Sequence, residues 1–516
     1  MAGALVLVSS TTAVAKDAWA LDNYPEATMA ADMAAGIQRV NVSEDGQYVT
    51  TSSMYAQWKS ADGRDDFGLC TNVAKDDCGK SNLSRIFGTS LLPICGDVVE
   101  SCIKGLEVYK EGAAPEAAKL VKQIPTFKTE GDPRAGIPQG SGLSVFSAPN
   151  APHTGGSEYT VMAAVSWEFR DGEAYIQQVR IKVSGTSEQA NQQARLQYPG
   201  VCTSPVGSMN AGQRTPCGGP GGPACVYHLV GFCGKEQELS PNTRIKLSLQ
   251  VPNQLVGWFQ GRLKDPSVEI SPIDAHYNKL SIDAAAVTVP RLFVKYDTKK
   301  FGNALEGVSY GTSGLDVKEI EASSDKTRDV IRKLTLADND TATATSTLWT
   351  VATLNSGGNP CFADTSKVVG IVTTNAMAYL GSAPEFKTGS LSYQVAGTHY
   401  LPDGVTPSEG TYDLVMRSET ARCLYGFSKA PISATISVVS DKGENKVATT
   451  VISEKNGWLK LAAYGFTFSS PTVSVKLSQA GAVASAKKTT IACVRGKLTK
   501  KITSVGPKCP ASYKKK

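Results

Sequence analysis

A mainly β protein is the fold class this sequence predicts: tandem immunoglobulin-like β-sandwiches behind a more irregular, partly helical, disulfide-containing N-terminal region. Three observations predict it. From Ser157 onward apolar residues alternate with polar ones, the spacing that puts every second side chain on one face of a strand. Turn-forming pairs such as Asp171-Gly172 and Asn456-Gly457 punctuate the alternation. Glycine is abundant (48 residues) and charged residues are sparse (19%), which suits short strands joined by turns.

The elements follow in order. Residues 16–150 form the least regular region and are expected to make an α+β domain. Helical spacing appears over Ala27–Ile37 and Pro115–Ile124, where Pro115 and Glu116 suit a first turn. A second domain, 151–295, opens on a hairpin: Tyr159, Val161, Ala163, Val165, Trp167 and Phe169 share one strand face, and Val179, Ile181 and Val183 follow the turn. Further strands are expected over Arg244–Val251 and Leu280–Val289. Between them lies an insertion, 201–234, whose Cys217-Gly-Gly-Pro-Gly-Gly-Pro-Ala-Cys225 run cannot hold regular structure unsupported.

The third region, 296–477, begins with a short amphipathic helix over Asp325–Leu334. Strands then follow over Leu348–Leu354, Val368–Thr374, Leu391–Val395 and Tyr412–Met416. Alternation at Ile432–Val438, a turn at Asp441-Lys442-Gly443, a strand over Val447–Ile452, and Val473–Leu477 complete a sandwich with Trp458 and Phe466 in its core. Residues 478–486 read as a linker of small side chains, and 487–516 as a basic two-cysteine tail.

The 12 cysteines fall into even groups: Cys70, Cys78, Cys95 and Cys102; Cys202, Cys217, Cys225 and Cys233; Cys361 with Cys423; Cys493 with Cys509. Even local groups predict disulfides, and disulfides predict an oxidising compartment. Neighbour pairing, Cys70 with Cys78 and Cys95 with Cys102, is expected in the first group, whereas the second group leaves its pairing open. Cys361 and Cys423, 62 residues apart, suit a bridge between two sheets. The signature of an immunoglobulin domain is missing, because no Trp lies between them and Ala421 holds the tyrosine-corner position.

Export is expected on a second ground. Ala2–Val8 is an apolar run too short to span a bilayer, followed by Ala13-Val14-Ala15, a small-x-small cleavage site that would start the mature chain near Lys16. No basic residue precedes the run, so residues 1–15 read as a signal peptide shortened by a start placed too late.

The net charge of +6 is unevenly placed: residues 487–516 hold ten basic residues and no acidic one, so the preceding chain carries 6 − 10 = −4. A concentrated terminal patch on an exported chain points to an anionic wall polymer or a membrane surface, not to nucleic acid. Arg495, Lys497, Lys500, Lys501 and Lys508 are the residues expected to bind it, held in place by a Cys493–Cys509 disulfide.

No catalytic constellation stands out. Asn355-Ser356-Gly357-Gly358-Asn359-Pro360 is similar to a trypsin-like nucleophile loop, but Leu354 replaces the expected glycine, and His153, His228, His276 and His399 all lack the histidine-base context. A turn before Cys361 is the reading preferred. The cysteine spacings do not match zinc ribbons, and Asp338-Asn339-Asp340 lacks the rest of a calcium loop, so neither metal nor cofactor is expected. Trp58, Trp258 and Trp458 have polar or glycine neighbours, and Trp258, in Gly257-Trp258-Phe259-Gln260-Gly261, is the candidate for stacking on a glycan.

Three segments, Tyr412–Ser418, Ala421–Phe427 and Asn456–Lys460, resemble segments of large, uncharacterised secreted proteins of actinobacteria. Cys493–Lys501 and Cys509–Lys514 resemble the short basic module that ends many of them. The resemblance covers about residues 340–516 and implies action at the envelope or outside the cell, with no activity attached. The sequence therefore predicts a secreted, envelope-associated binding or structural protein. An extracellular hydrolase acting on polysaccharide or peptide, with its site before residue 300, and an adhesin are the alternatives.

Overall fold

The computed structural model describes residues 37–43, 49–96, 100–190, 201–203, 214–216, 225–229, 231–253, 255, 257–301, 311–313, 317–323, 325–337, 339–354, 359–362, 368–428, 432–440, 443–445, 449–468, 472–479, 489–496, 498–504, 507–510 and 512–516. Within them the chain is mainly β. Residues 1–15, the turn at Asp441-Lys442 and most of Ala27–Ile37 lie outside the described residues.

The centre is a 15-stranded sheet. Its main path runs Asp65–Leu69, Ser53–Lys59, Leu83–Leu91, Glu158–Arg170, Glu173–Ala190, Thr350–Leu354, Trp258–Arg262, Gly370–Thr374, Glu409–Arg417, Trp458–Thr467 and Thr449–Lys455. The expected hairpin of 158–190 is its longest pair, closed by Asp171 and Gly172 at φ 53° and 87°, the left-handed geometry that a two-residue turn between twisted strands requires.

The bounds expected at residues 150 and 295 do not interrupt hydrogen bonding. Trp258–Arg262 lies between two later strands, antiparallel to Thr350–Leu354 and parallel to Gly370–Thr374. Separate sandwiches in series are thus replaced by a shared sheet with layers on its two faces. Alternation reveals a strand and its buried face, but carries no record of which distant strand pairs with it.

On one face packs a four-stranded sheet of Lys264–Pro272, Tyr277–Ala285, Thr243–Pro252 and Cys102–Lys110. Its Ile245, Leu247, Leu249, Leu280 and Ile282 join Val161, Ala163, Val165, Trp167, Phe259, Ile371 and Val415 of the large sheet in one core. On the other face, Leu391, Tyr393, Ile436, Val438, Val473 and Val475 of a six-stranded sheet meet Trp258, Val372, Tyr412, Leu414, Met416 and Leu461. The central strands are buried on both faces. Neighbouring residues therefore enter opposite cores, Phe259 and Ile371 one, Trp258 and Val372 the other, which explains the unbroken burial along Gly370–Thr374.

Several expectations are corrected. Pro115–Ile124 is not helical: Lys119–Gln123 is a strand paired with Ser144–Ser147, and its Leu120 and Val121 are 38% and 48% exposed. Pairing with a distant strand overrides the local start signal. Cys361–Cys423 does not bridge two sheets, because it ties the short turn Pro360–Phe362 to helix Ser418–Tyr425, with Cα atoms 5.8 Å apart. Ser478 and Gln479, expected in the linker, finish strand Thr472–Gln479. The helix at Asp325–Ala337 forms as expected.

Candidate polyanion interface

The tail forms its own small sheet. Thr489–Arg495, rich in β-branched residues, turns at Gly496 (φ 60°) into Leu498–Ser504, and Lys514–Lys515 pairs on its other side. A Cys493–Cys509 disulfide, Cα atoms 5.6 Å apart, fastens the returning chain to the central strand. In antiparallel register, opposed residues share a face. Cys493 faces Lys500 and Lys515; Ala492 faces Lys501, and its carbonyl accepts the Lys516 amide at 2.9 Å; Val494 faces Thr499 and Lys514.

The two faces differ. Cys493 and Arg495 share one, and Cys509, Ser512 and Tyr513 lie against it. Cys493 is fully buried, Arg495 Nη1 donates to Ser512 Oγ at 3.3 Å, and its guanidinium lies 5.5 Å from the Tyr513 ring. On the opposite face Ala492 and Val494 are half-buried between the exposed Lys501, Lys514 and Lys516. Lys500, Lys508 and Lys515 are also exposed, and Lys497 lies outside the described residues. No acidic side chain follows Glu454 in the sequence, so none within the tail competes for these ammonium groups. Lys514 and Lys516 were not singled out by sequence reasoning. Their strand is two residues long, and only its register with Cys493 and Val494 brings them to the ribbon.

Trp258 is no glycan platform. It opens a central strand, is fully buried, and packs edge-on against Phe362 at 5.0 Å. Gly261, part of the setting that resembled a loop, is a packing device: a Cβ there would fall 2.1 Å from the Thr350 carbonyl oxygen, and one on Gly370 of the neighbouring strand would stand 2.5 Å from the indole. Trp58 and Trp458 are half-buried, with Lys80 Nζ 3.3 Å and the Arg417 guanidinium 4.9 Å from their ring centres.

The first cysteine group pairs Cys70 with Cys78 and Cys95 with Cys102. In the second, Cys225 bonds Cys233 across two paired strands, of which Phe232–Gln237 joins the large sheet. Cys202 lies on strand Val201–Thr203, paired with Arg214–Pro216, and Cys217 lies outside the described residues. So do Asn355–Gly358 and Asp338, while Asp340 accepts a hydrogen bond from the backbone N–H of His399 at 3.2 Å.

A polar chain crosses from the four-stranded layer to the large sheet. Tyr109 donates to Asp283 (2.7 Å), Arg244 bridges Asp283 (2.8 Å) and Asp265 (3.0 Å), and Lys460 pairs with Asp265. The Asp265 amide donates to Asp413 at 3.2 Å. Among the described residues no helix is long and apolar enough to cross a membrane. In comparisons with protein-family models and with curated proteins, nothing matches this chain.

Proposed function

We propose that this protein works outside the cytoplasm as a binding or structural component of a cell envelope, retained there by its basic C-terminal ribbon on anionic polymer. The observation that carries the reading is the ribbon itself: a disulfide-fastened sheet with exposed lysines on both faces and no acidic residue. Solubility alone requires charge, not a covalently fixed arrangement of it. Local disulfides in both cysteine groups support an oxidising compartment. The tail's resemblance to the closing module of secreted actinobacterial proteins adds the envelope as its site.

The test is sedimentation of the full chain, and of a chain ending at Ala486, with isolated cell walls across a salt series. Binding that weakens with salt and disappears with the tail supports the reading, since the Debye length shrinks to about 3 Å at 1 M salt. Binding that survives the deletion overturns it and moves recognition into the layered sheets.

A further inference from the structure

We infer that the polyanion is a linear chain lying across one face of the ribbon only, the face of Lys501, Lys514 and Lys516, and not the face of Arg495, Lys500 and Lys515. The inference rests on the reading that the tail binds polyanion, and adds which side chains do so.

Access decides the face. The segment bonded through Cys509 occupies the side where Cys493 is fully buried and where Arg495 is engaged by Ser512 and Tyr513. On the other side the half-buried Ala492 and Val494 form a low floor, rimmed on one flank by Lys501 and on the other by Lys514 and Lys516. Lys501 and Lys516 stand two strands apart, about 10 Å at ordinary sheet spacing. A single extended chain laid on Ala492 and Val494 has ammonium groups on both flanks. Thr499 and the hydrogen-bonded pair Thr490 and Thr503, at 2.7 Å, add hydroxyls to the same face.

The face also favours a polymer over a bilayer. A peripheral membrane anchor combines basic residues with apolar side chains that enter the lipid boundary. Among the described residues of the tail the large apolar side chain that is exposed, Leu498 at 58%, is opposite Arg495 and so belongs to the other face.

The experiment uses the full chain and two triple variants that remove the same charge. One is Lys501→Gln, Lys514→Gln, Lys516→Gln; the other is Lys500→Gln, Lys508→Gln, Lys515→Gln. Binding is measured to inorganic polyphosphate, to polygalacturonate and to phosphatidylglycerol vesicles, with alkylation and mass spectrometry verifying the Cys493–Cys509 bond in each variant. The expected result is a loss on the order of a hundredfold for the first triple on the polymers, against about threefold for the second. Equal losses would show that net charge alone acts and would overturn the inference while leaving tail binding intact. A larger loss in the second triple overturns the choice of face, and binding to vesicles but to neither polymer overturns the choice of ligand. Absence of binding by the unaltered chain to every probe overturns the retention reading with it.

Discussion

Tyr464 donates its hydroxyl hydrogen to the carboxylate of Asp413 at 2.6 Å, and Asp413 is completely buried. Burial is the largest influence on that carboxyl and pushes it up to about 6, against the opposing pull of the Tyr464 and Asp265 hydrogen bonds and of Lys460; the Asp265 charge pushes the same way as burial. Asp265 responds oppositely. Burial raises it, but Lys460 and Arg244 together outweigh burial and hold it below the usual carboxylate range.

The sign of the pH dependence follows from Asp413. An unfolded Asp loses its proton near pH 4, whereas the folded one keeps it to about 6, so the folded state binds more protons in that window and stability falls as pH rises through it. Asp413→Asn can accept from the Asp265 amide and donate to Tyr464, and it does not titrate. Relative to the unaltered chain, the variant should gain on the order of 2 kcal/mol between pH 4 and pH 6. Taking the difference removes the part of the Asp265 slope that Lys460 and Arg244 set, because both stay in place in the variant. Denaturant melts of both proteins at pH 4.5 and pH 7 check this, and a gap that does not change with pH refutes it.

Arg262 supplies a second test. It is fully buried in a central strand, donates through Nη1 to the carbonyls of Thr374 (3.1 Å) and Ala376, and lies 4.3 Å from the Tyr379 ring centre. Through this one nitrogen it holds the chain that leaves Gly370–Thr374 and enters the second core. Arg262→Met strands those carbonyls and should cost about 3 kcal/mol, since buried hydrogen bonds to charged groups are each worth roughly 1.5–3. Arg262→Lys keeps the charge but loses the reach of Nη1 and the guanidinium plane beside the Tyr379 ring, and should recover less than half of the loss in thermal melts.

Trp258 shows both how far the sequence reaches and where it stops. Alternation located the strands at 173–190, 243–252 and 472–479, because a strand with one buried face writes its period directly into the chain. The strands at 158–170 and 409–417, buried on both faces along their middles, were legible from large apolar residues at every second position. Gly257 and Gly261 hid a strand buried on both faces, whose own glycine makes room for neighbouring backbone; a Cβ on Gly261 would fall 2.1 Å from the Thr350 carbonyl oxygen. Likewise Pro115 and Glu116 announced a helix that pairing with Ser144–Ser147 forbids. In the tail, the basic residues and the two cysteines were legible, but the face each lysine occupies depends on register with a strand of two residues.

The burial of Trp258 gives its own prediction. Trp258→Ala should cost about 3–5 kcal/mol, as large aromatic deletions in closed cores do, and should leave any glycan binding unchanged once the protein is folded at low temperature. Isothermal titration with soluble polysaccharides, beside thermal melts, separates the two effects. A selective loss of affinity at unchanged stability would return Trp258 to a binding role.

The Cys361–Cys423 bond closes a loop of 62 residues that includes the strands Gly370–Thr374, Ser390–Ala396 and Glu409–Arg417. Replacing both cysteines by serine should lower stability by about 4 kcal/mol on the chain-entropy estimate. The loss should fall on the layer containing Leu391, Tyr393 and Val475, so hydrogen exchange there should rise more than in Thr243–Pro252, which packs on the other face.

The tail disulfide separates fixed geometry from mere charge. Cys493 and Cys509 close a loop of 16 residues, and the bond is worth about 3 kcal/mol to a sheet of three short strands. Cys493→Ser with Cys509→Ser leaves all ten basic residues in place, so a tail acting only by net charge would bind polyphosphate as before. If the ribbon presents Lys501, Lys514 and Lys516 as a formed rim, loosening Lys514–Lys516 from the central strand scatters half of that rim. Affinity should then drop at least tenfold at 0.15 M salt and converge with the unaltered chain as salt is lowered, where the Debye length grows to about 30 Å and position ceases to matter. A salt series on the two full-length proteins measures this directly, and superimposable curves would mean that the disulfide serves folding alone.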